Sequence, residues 1–301
     1  MTGALETWNL LQLKALGFRE VPVQASTGTV VWWIGEGRGE GPPVVLVHGF
    51  CSRGCYFVRL ARRLLGRFRQ VMLVDLPGHG ASDLPDAGTG SAVVIEGFTH
   101  SLEQLDPGPA LLFGNSMGAV VAARYSLAAP DRVHGLVMAS PAGARMSEEA
   151  LRQFLAAFQV TGLDEASALI QRLSSASPVT RTLVSWLALR KLQQPRIQRL
   201  LASVGMADQF DAVELQALRV PTLVLWGQEE RLYQPEHLQW FQQHLPPTAR
   251  VERPPAFGHM AWLERPQEVA SWIGSFAGSL DPTSAAAQAG HRLVHLREFA
   301  P

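Results

Sequence analysis

Apolar residues along this chain fall into two recurring patterns. Short continuous runs appear at Val44–Val47, Val71–Val74, Ala110–Phe113, Gly135–Ala139 and Pro221–Trp226. A strand buried on both faces has no wet side to alternate with, so such runs predict a parallel sheet covered above and below. Between them lie stretches with apolar residues at helical spacing. These are Tyr56–Leu65, with arginines on its polar face, Val93–Leu105, and Val120–Ala129, which stops at Pro130. Gln234–His244 reads the same way, with Pro235 suited to a first helical turn. Repeated alternation of strand and helix predicts an α/β fold, a mostly parallel central sheet with helices on both faces. Val21–Val23 and Thr29–Ile34 predict an antiparallel pair turning at Ser26-Thr27-Gly28. Ala249–Arg253 is a last short strand, and Trp262–Phe276 a closing helix with a break or late start near Pro266.

The alternation stops between Met146 and about Phe210. Only helical periodicity is found there: Leu151/Phe154/Leu155/Phe158, Leu169/Ile170/Leu173, Leu183/Trp186/Leu187 and Ile197/Leu200/Leu201. An all-helical insert after the sixth core strand reads as a cap laid over one end of the sheet. The competing arrangement lays these helices along a sheet face. The chain then divides into an N-terminal helix (1–19), an α/β core (20–141 and 211–277), a helical cap (142–210) and a loosely ordered tail (278–301). In the N-terminal segment Trp8, Leu11, Leu13 and Leu16 stand at helical spacing. That is a short helix packed on the body or, alternatively, a membrane-surface contact, which the lack of a basic face weakens. The tail is rich in Ala, Ser and Gln and has no pattern that would bury it.

Composition narrows the classes. A 47% hydrophobic and 17% charged chain has ample material for a core. Its 26 basic and 26 acidic residues cancel, leaving no electrostatic footprint for nucleic acid. Cys51 and Cys55 are the only cysteines, too few for a zinc site of two pairs or for a disulfide framework. Two free thiols in a reducing, cytoplasmic setting are expected. The N-terminus lacks the basic-then-apolar pattern of a secretory leader, and no run of about 20 apolar residues is present to span a bilayer. No cofactor or metal is expected. The histidines form no cluster at metal-ligand spacing, and the glycines around Ser116 lack the lysine of a phosphate loop.

The candidate chemistry starts where Ala110–Phe113 runs into Gly114-Asn115-Ser116-Met117-Gly118 and a helical pattern follows. G-x-S-x-G between a strand and a helix forces its serine into a strained, exposed turn. The same spacing occurs in ordinary Gly-Ser loops; the strand before and the helix after separate the two. Ser116 would also sit at a helix N-terminus, where the dipole favours developing negative charge. A serine hydroxyl needs a base within reach, and the base needs a third group to fix its tautomer. Loops after two further strands offer both: Glu230 after Pro221–Trp226, and His259 after Ala249–Arg253, in the order Ser, acid, His. Glu229 is the rival acid. His48 and His79 are expected to shape loops and Asp75 to be structural. His100, His134, His237, His244, His291 and His295 are expected at surfaces.

Several segments carry a resemblance when taken together. They are Val47-His48-Gly49-Phe50, Asp75-Leu76-Pro77-Gly78-His79-Gly80-Ala81-Ser82, Gly114-Asn115-Ser116-Met117-Gly118-Ala119, Trp226-Gly227-Gln228-Glu229-Glu230 and Phe257-Gly258-His259-Met260. In this order they resemble the capped, serine esterase and lipase-like branch of the α/β-hydrolase fold superfamily, over about residues 20 to 277. The resemblance implies Ser116 as nucleophile, His259 as base and an oxyanion hole made by the backbone N–H groups of Phe50 and Met117. The third member departs from the pattern, because Glu230 stands where the family usually carries aspartate. Glutamate is an accepted partner in this fold, but its extra methylene requires the loop or the imidazole to sit differently. The alternative acid position, at Ala139-Ser140-Pro141-Ala142, holds no carboxylate.

The function expected is a serine hydrolase that cleaves carboxylic esters of apolar acyl groups through an acyl-enzyme. Leu151, Phe154, Phe158, Leu169, Trp186 and Leu187 of the cap are candidates to line the acyl pocket. The expected partner is a small apolar ester, with no nucleic acid and at most a weak membrane-surface contact. Two other readings stay open. One is a C–C bond hydrolase of dienoic ring-cleavage products, whose family is similar at Gly114–Gly118 and Pro130-Asp131-Arg132-Val133. Those enzymes generally carry tryptophan where this chain has Met260. The other is a non-catalytic binding module on the same fold, which a covalent serine probe would not label.

Overall fold

The structure, a computed structural model, describes residues 3–85, 90–175 and 178–280. Its strands are β1 (Arg19–Ala25), β2 (Gly28–Glu36), β3 (Val44–Val47), β4 (Gln70–Asp75), β5 (Ala110–Asn115), β6 (Val133–Ala139), β7 (Thr222–Leu225) and β8 (Arg250–Glu252). They form one 8-stranded sheet in the order β1-β2-β4-β3-β5-β6-β7-β8. β1 pairs antiparallel with β2, and β2 with β4; the remaining neighbours are parallel. The chain leaves β3 to one side for β4 and comes back on the other for β5. Strand order therefore reverses between β3 and β5, and a crevice opens at the carboxyl ends of strands where this happens. Val47, the end of β3, lies opposite Gly114 of β5. Gly49 and Ser116 follow immediately at that crevice.

Helices α1 (Ala4–Ala15), α2 (Val58–Leu64), α3 (Ser91–Leu105), α4 (Met117–Ala128), α5 (Glu148–Ala156) and α6 (Leu163–Leu173) occupy the first part of the chain. They are followed by α7 (Pro178–Leu192), α8 (Pro195–Ala202), α9 (Ala212–Gln216), α10 (Pro235–His244), α11 (Ala261–Glu264) and α12 (Pro266–Ser279). The central strands are dry on both sides because successive side chains alternate between two cores. Val44 and Leu46 join Leu73, Phe113 and Val137 under Leu13 of α1, Leu60 of α2, Trp262 of α11 and Ile273 of α12. Val45 and Val47 join Val74, Leu112 and Met138 under Phe98 of α3, Val121 of α4 and Phe241 of α10. The expected interruption at Pro266 is present: α11 ends at Glu264 and α12 starts on the proline. A missing N–H costs nothing at a helix's first turn. The helix expected over Tyr56–Leu65 instead opens as a 3₁₀ turn at Gly54–Phe57 before α2. There the buried Asp75 carboxylate takes the Gly54 N–H at 2.7 Å and the Arg53 guanidinium at 3.0 Å, holding that turn tight.

Between β6 and β7 the described chain is helical, α5 to α9. Phe158, Leu169, Ile197 and Leu200 of this insert join the core beside α3 and α4. Its polar clamps reach loops at the carboxyl ends of the strands, which makes it a cap over that end. Arg172 of α6 donates to the Leu232 carbonyl at 2.6 Å, in the loop after β7. Arg196 of α8 donates to the carbonyls of Gly78 (2.9 Å) and Ser82 (3.0 Å), in the loop after β4. Of the tail expected at 278–301, residues 281–301 lie outside the described residues, as do His291 and His295.

Candidate active site

Close packing of backbone builds the turn after β5. A Cβ on Gly114 would lie 2.4 Å from the Gly118 carbonyl oxygen, and one on Gly118 would lie 2.2 Å from that of Val47. Only glycine lets the helix start this close to two strands. Ser116, between them, takes φ 54° and ψ −120°, a conformation that costs a side-chain-bearing residue about 1–3 kcal/mol. It is held there by its N–H to the Ala139 carbonyl (3.1 Å) and by its own carbonyl, which accepts from Ala142 N–H (3.2 Å). The serine stands at the start of α4 and lines a large cavity.

His259 and Glu230 arrive on loops after β8 and β7. His259 Nδ1 stands 3.0 Å from Glu230 Oε2, and the two side chains are 5% and 1% exposed. The other carboxylate oxygen accepts the Leu232 N–H at 2.7 Å, with the Tyr233 N–H at 3.4 Å. Burial pushes the Glu230 carboxyl up, but the charge of His259 and hydrogen bonds from His259, Ser140 and Leu232 outweigh it, leaving it below the ordinary glutamate range. Glu229 points elsewhere: its carboxylate is 43% exposed and 3.9 Å from Arg231. The structure thus sets Glu230, and not Glu229, beside the histidine.

Asn115 ties these loops to the elbow. Its side-chain amide donates to the His259 carbonyl (3.2 Å) and the Ala139 carbonyl (3.1 Å), while its oxygen accepts from the Trp262 indole at 3.0 Å. The Ser116 hydroxyl is hydrogen-bonded to the Tyr233 hydroxyl at 3.1 Å. Burial raises the Tyr233 phenol, offset in part by that bond, so it stays protonated at neutral pH. The Tyr233 ring lies 5.4 Å from that of His259.

Ser116, His259, Phe50 and Met117 all line one cavity of about 1780 Å³. So do Leu151, Phe154, Phe158, Leu169, Trp186 and Leu187 of the cap. Phe154 stacks on Tyr233 (5.5 Å between ring centres), and Phe158 meets Phe50 edge-on at 5.9 Å, which lowers the cap onto the serine. Among the described residues no group of His, Cys, Asp or Glu is arranged to hold a metal ion.

The alpha/beta hydrolase family matches residues 44–272. The chain belongs to that family. It is 32% identical, over 247 residues, to a pimeloyl-[acyl-carrier protein] methyl ester esterase of Chromobacterium violaceum, covering 77% of this chain and 93% of that protein. A protein of the same name from Nitrosomonas europaea is 29% identical over 248 residues, 78% of this chain and 96% of the relative. Among solved structures, a membrane phospholipase A described as a bacterial virulence factor superposes with a TM-score of 0.78 at 24% identity. That match covers 92% of this chain and 91% of the other. A carboxylesterase of Bacillus subtilis gives 0.70 at 22% identity, covering 90% and 97%. At such identities the structural likeness speaks for the hydrolase fold alone.

Within this family frame, the other singled-out residues take loop-building positions. His48 accepts the Leu76 N–H at Nε2 (3.1 Å), so its Nδ1 carries the proton toward the Gly49 carbonyl at 2.8 Å. Burial lowers its pKa to about 3 and keeps it neutral. His79 contacts the Pro77 carbonyl and is likewise kept neutral by burial. Asp75 is spent on Arg53, Gly54 and Ala81. Both thiols are free, with Cys51 pushed up to about 11 and Cys55 to about 12 by burial. Of the histidines expected at surfaces, His134, His237 and His244 are half-buried, and His237 departs furthest, both of its ring nitrogens being buried. His237 is half-buried, its ring 5.1 Å from that of Tyr233, and burial lowers its pKa. Its place on α10, one turn past Tyr233, faces it inward. Tyr233, Asn115 and Trp262 were missed by sequence reasoning. No spacing marks them, because their roles come from contacts between loops far apart in the chain.

Proposed function

We propose that this protein is a serine carboxylic ester hydrolase working through Ser116, His259 and Glu230. The observation that carries the reading is a strained serine at a helix start, sharing one cavity with a histidine whose far nitrogen is held by a buried carboxylate. The names of the relatives, methyl ester esterases, support the same class. Ser116 Oγ attacks the ester carbonyl and passes its proton to His259 Nε2. Glu230 holds the Nδ1 proton and stabilises the imidazolium. The alcohol leaves with the proton from His259, and water then releases the acid from Ser116 by the same route. The Phe50 and Met117 N–H groups receive the negative oxygen of each tetrahedral intermediate. Losing one such donor costs roughly 3–4 kcal/mol of transition-state stabilisation.

The substrate side is an apolar acyl chain. A cavity of about 1780 Å³ exceeds the roughly 300–1,000 Å³ of ordinary small-molecule sites, and the aromatic and aliphatic cap residues on its wall favour hydrocarbon. Methyl esters of carrier-linked acyl groups, the substrates named for the relatives, belong in the first panel. Hydrolysis of p-nitrophenyl esters from acetate to palmitate tests the reading, with Ser116→Ala alongside. Turnover that disappears in the variant, with a preference for medium or long chains, is expected. Equal silence of both proteins on every ester, together with no labelling of Ser116 by a fluorophosphonate, overturns it in favour of a binding module.

A further inference from the structure

We infer that the mouth of the cavity docks on an anionic phospholipid bilayer, with the outward faces of α1 and α7 entering the lipid interface. On α1, Leu5, Trp8 and Leu11 recur every third residue and are 50%, 61% and 56% exposed. Three residues apart on a helix is one face. The opposite face is used up, because Leu13 is fully buried. On α7, Leu183 and Trp186 are 61% and 45% exposed. The two helices are joined by Lys191 of α7, whose Nζ lies 3.3 Å from the Glu6 carboxylate of α1. Leu5, Trp8, Leu183 and Trp186 all line the cavity that holds Ser116. Large exposed apolar side chains grouped around one opening mark an interaction surface.

The exposed charge lining the same opening has one sign. Arg59, Arg62 and Arg63 of α2 and Arg190 of α7 line it and are exposed, with Arg190 lying over the Trp186 ring at 4.8 Å. The acids on the cavity wall are engaged inside the protein. Glu6 meets Lys191, Arg53 and Tyr56, and Asp208 meets Ser91 and the Gly205 N–H. The chain as a whole is neutral, so this positive rim is local. The helix sequence of α1 by itself shows no basic face because the cations come from α2 and α7.

Tryptophan, leucine and arginine at one rim suit the boundary between headgroups and acyl chains, where arginine meets lipid phosphate. An acidic protein partner would satisfy the arginines and leave Leu5, Trp8, Leu11 and Leu183 with little to bury them. Among the described residues no helix is long and apolar enough to cross a membrane, so the contact is peripheral. It would let a lipid-borne ester pass from bilayer to cavity without entering water.

The test is flotation of the full chain carrying Ser116→Ala, which turns over no lipid, with vesicles of phosphatidylcholine alone or mixed equally with phosphatidylglycerol. Binding to the mixed vesicles at low salt, weakened by high salt and at least tenfold poorer on phosphatidylcholine, is expected. Arg62→Gln/Arg63→Gln should weaken it roughly 25-fold, at about fivefold per cation, and Trp8→Ser/Leu11→Ser at least tenfold. These variants should keep the circular dichroism and melting temperature of their parent, so that lost binding is not lost folding. The inference is overturned if the chain ignores the mixed vesicles, if the variants bind as well as the parent, or if it instead binds an acidic acyl carrier protein through these residues. Silence on every p-nitrophenyl ester, with Ser116 unlabelled by a fluorophosphonate, would refute the esterase reading without touching the vesicle result.

Discussion

Glu230→Gln is the sharpest probe of the proposed chemistry, because it changes charge and hydrogen-bonding sense at constant size. In the native site one carboxylate oxygen faces His259 Nδ1 at 3.0 Å, and the other takes the Leu232 N–H at 2.7 Å. A glutamine must turn its carbonyl toward Leu232, since its amide there would set two donors against each other. Its NH₂ group then faces Nδ1 and can only donate. The imidazole is driven to the tautomer protonated on Nε2, the nitrogen that has to accept the serine proton. The negative charge that would stabilise the imidazolium is lost as well. The corresponding loss in a Ser-His-Asp enzyme is about 10⁴ in kcat. Allowing for a longer, more adaptable acid, we expect kcat to fall by roughly 10³–10⁴, or about 4–5.5 kcal/mol at 1.36 kcal/mol per decade. KM should barely change, because Glu230 does not reach the cavity wall where the ester lies. Steady-state turnover of p-nitrophenyl butyrate measures the effect, with Ser116→Ala as the floor and Glu229→Gln, expected within twofold of wild type, as the control. Since the Glu230 carboxyl sits below the ordinary range, it remains ionised well into acid, and the wild type's acidic limb should not report its protonation. A Glu230→Gln enzyme within tenfold of wild type, or a larger loss in Glu229→Gln, would refute the reasoning.

Other perturbations read different parts of the same structure. Gly118→Ala places a methyl 2.2 Å from the Val47 carbonyl oxygen and 2.5 Å from that of His48. Backbone cannot yield there, so we expect a loss of at least ~4 kcal/mol, seen as insoluble protein or a collapsed melting temperature; a well-folded variant contradicts the packing account. Tyr233→Phe removes the hydroxyl bonded to Ser116 and, for one hydrogen bond of about 0.5–1.5 kcal/mol, should lower kcat roughly 2- to 12-fold. A rise in kcat would mean that the phenol restrains the serine instead. Glu6 is raised by burial but lowered further by Lys191, Tyr56 and Arg53, so its folded pKa lies below 4.5. A depressed folded pKa stabilises the native state above the unfolded value and loses that effect as pH falls through the folded one. The melting-temperature gap between wild type and Glu6→Gln should accordingly be flat from about pH 8 to 5 and shrink below pH 4.5; a gap that grows in acid contradicts it.

Local signals made most of the architecture readable from the chain. Val44–Val47 had to be dry on both faces, Pro130 and Pro266 had to interrupt helices, and Gly114 and Gly118 had to bracket a tight turn. Each follows from a residue's own chemistry or its near neighbours. The acid was harder. Glu229 and Glu230 are equivalent as neighbours in sequence, and only the path of the loop after β7, fixed by Arg172 of the cap and the Leu232 N–H, separates them. Tyr233, Asn115 and Trp262 were out of reach for the same reason. Asn115 meets His259 across 144 positions of chain, a closure that no periodicity encodes. His237 escaped because the ring that covers it, Tyr233, lies on the loop before α10 and not on the helix itself.

The family match begins at Val44, so an engineer trimming the gene to the shared region would discard α1, β1 and β2. The Glu6 network makes that cut costly. Arg53, with its side chain 4% exposed, would face solvent, Lys191 would lose its counter-charge, and the Leu13 contact with the core beneath β3 would open. β4 would become a raw sheet edge, its hydrogen bonds to β2 unmade and available to another chain. The opening segment thus works as an edge guard and a strut for the cap at once. A lid or loop swapped into this chain should leave its first 43 residues in place, or the bared edge of β4 becomes an aggregation hazard in the hybrid.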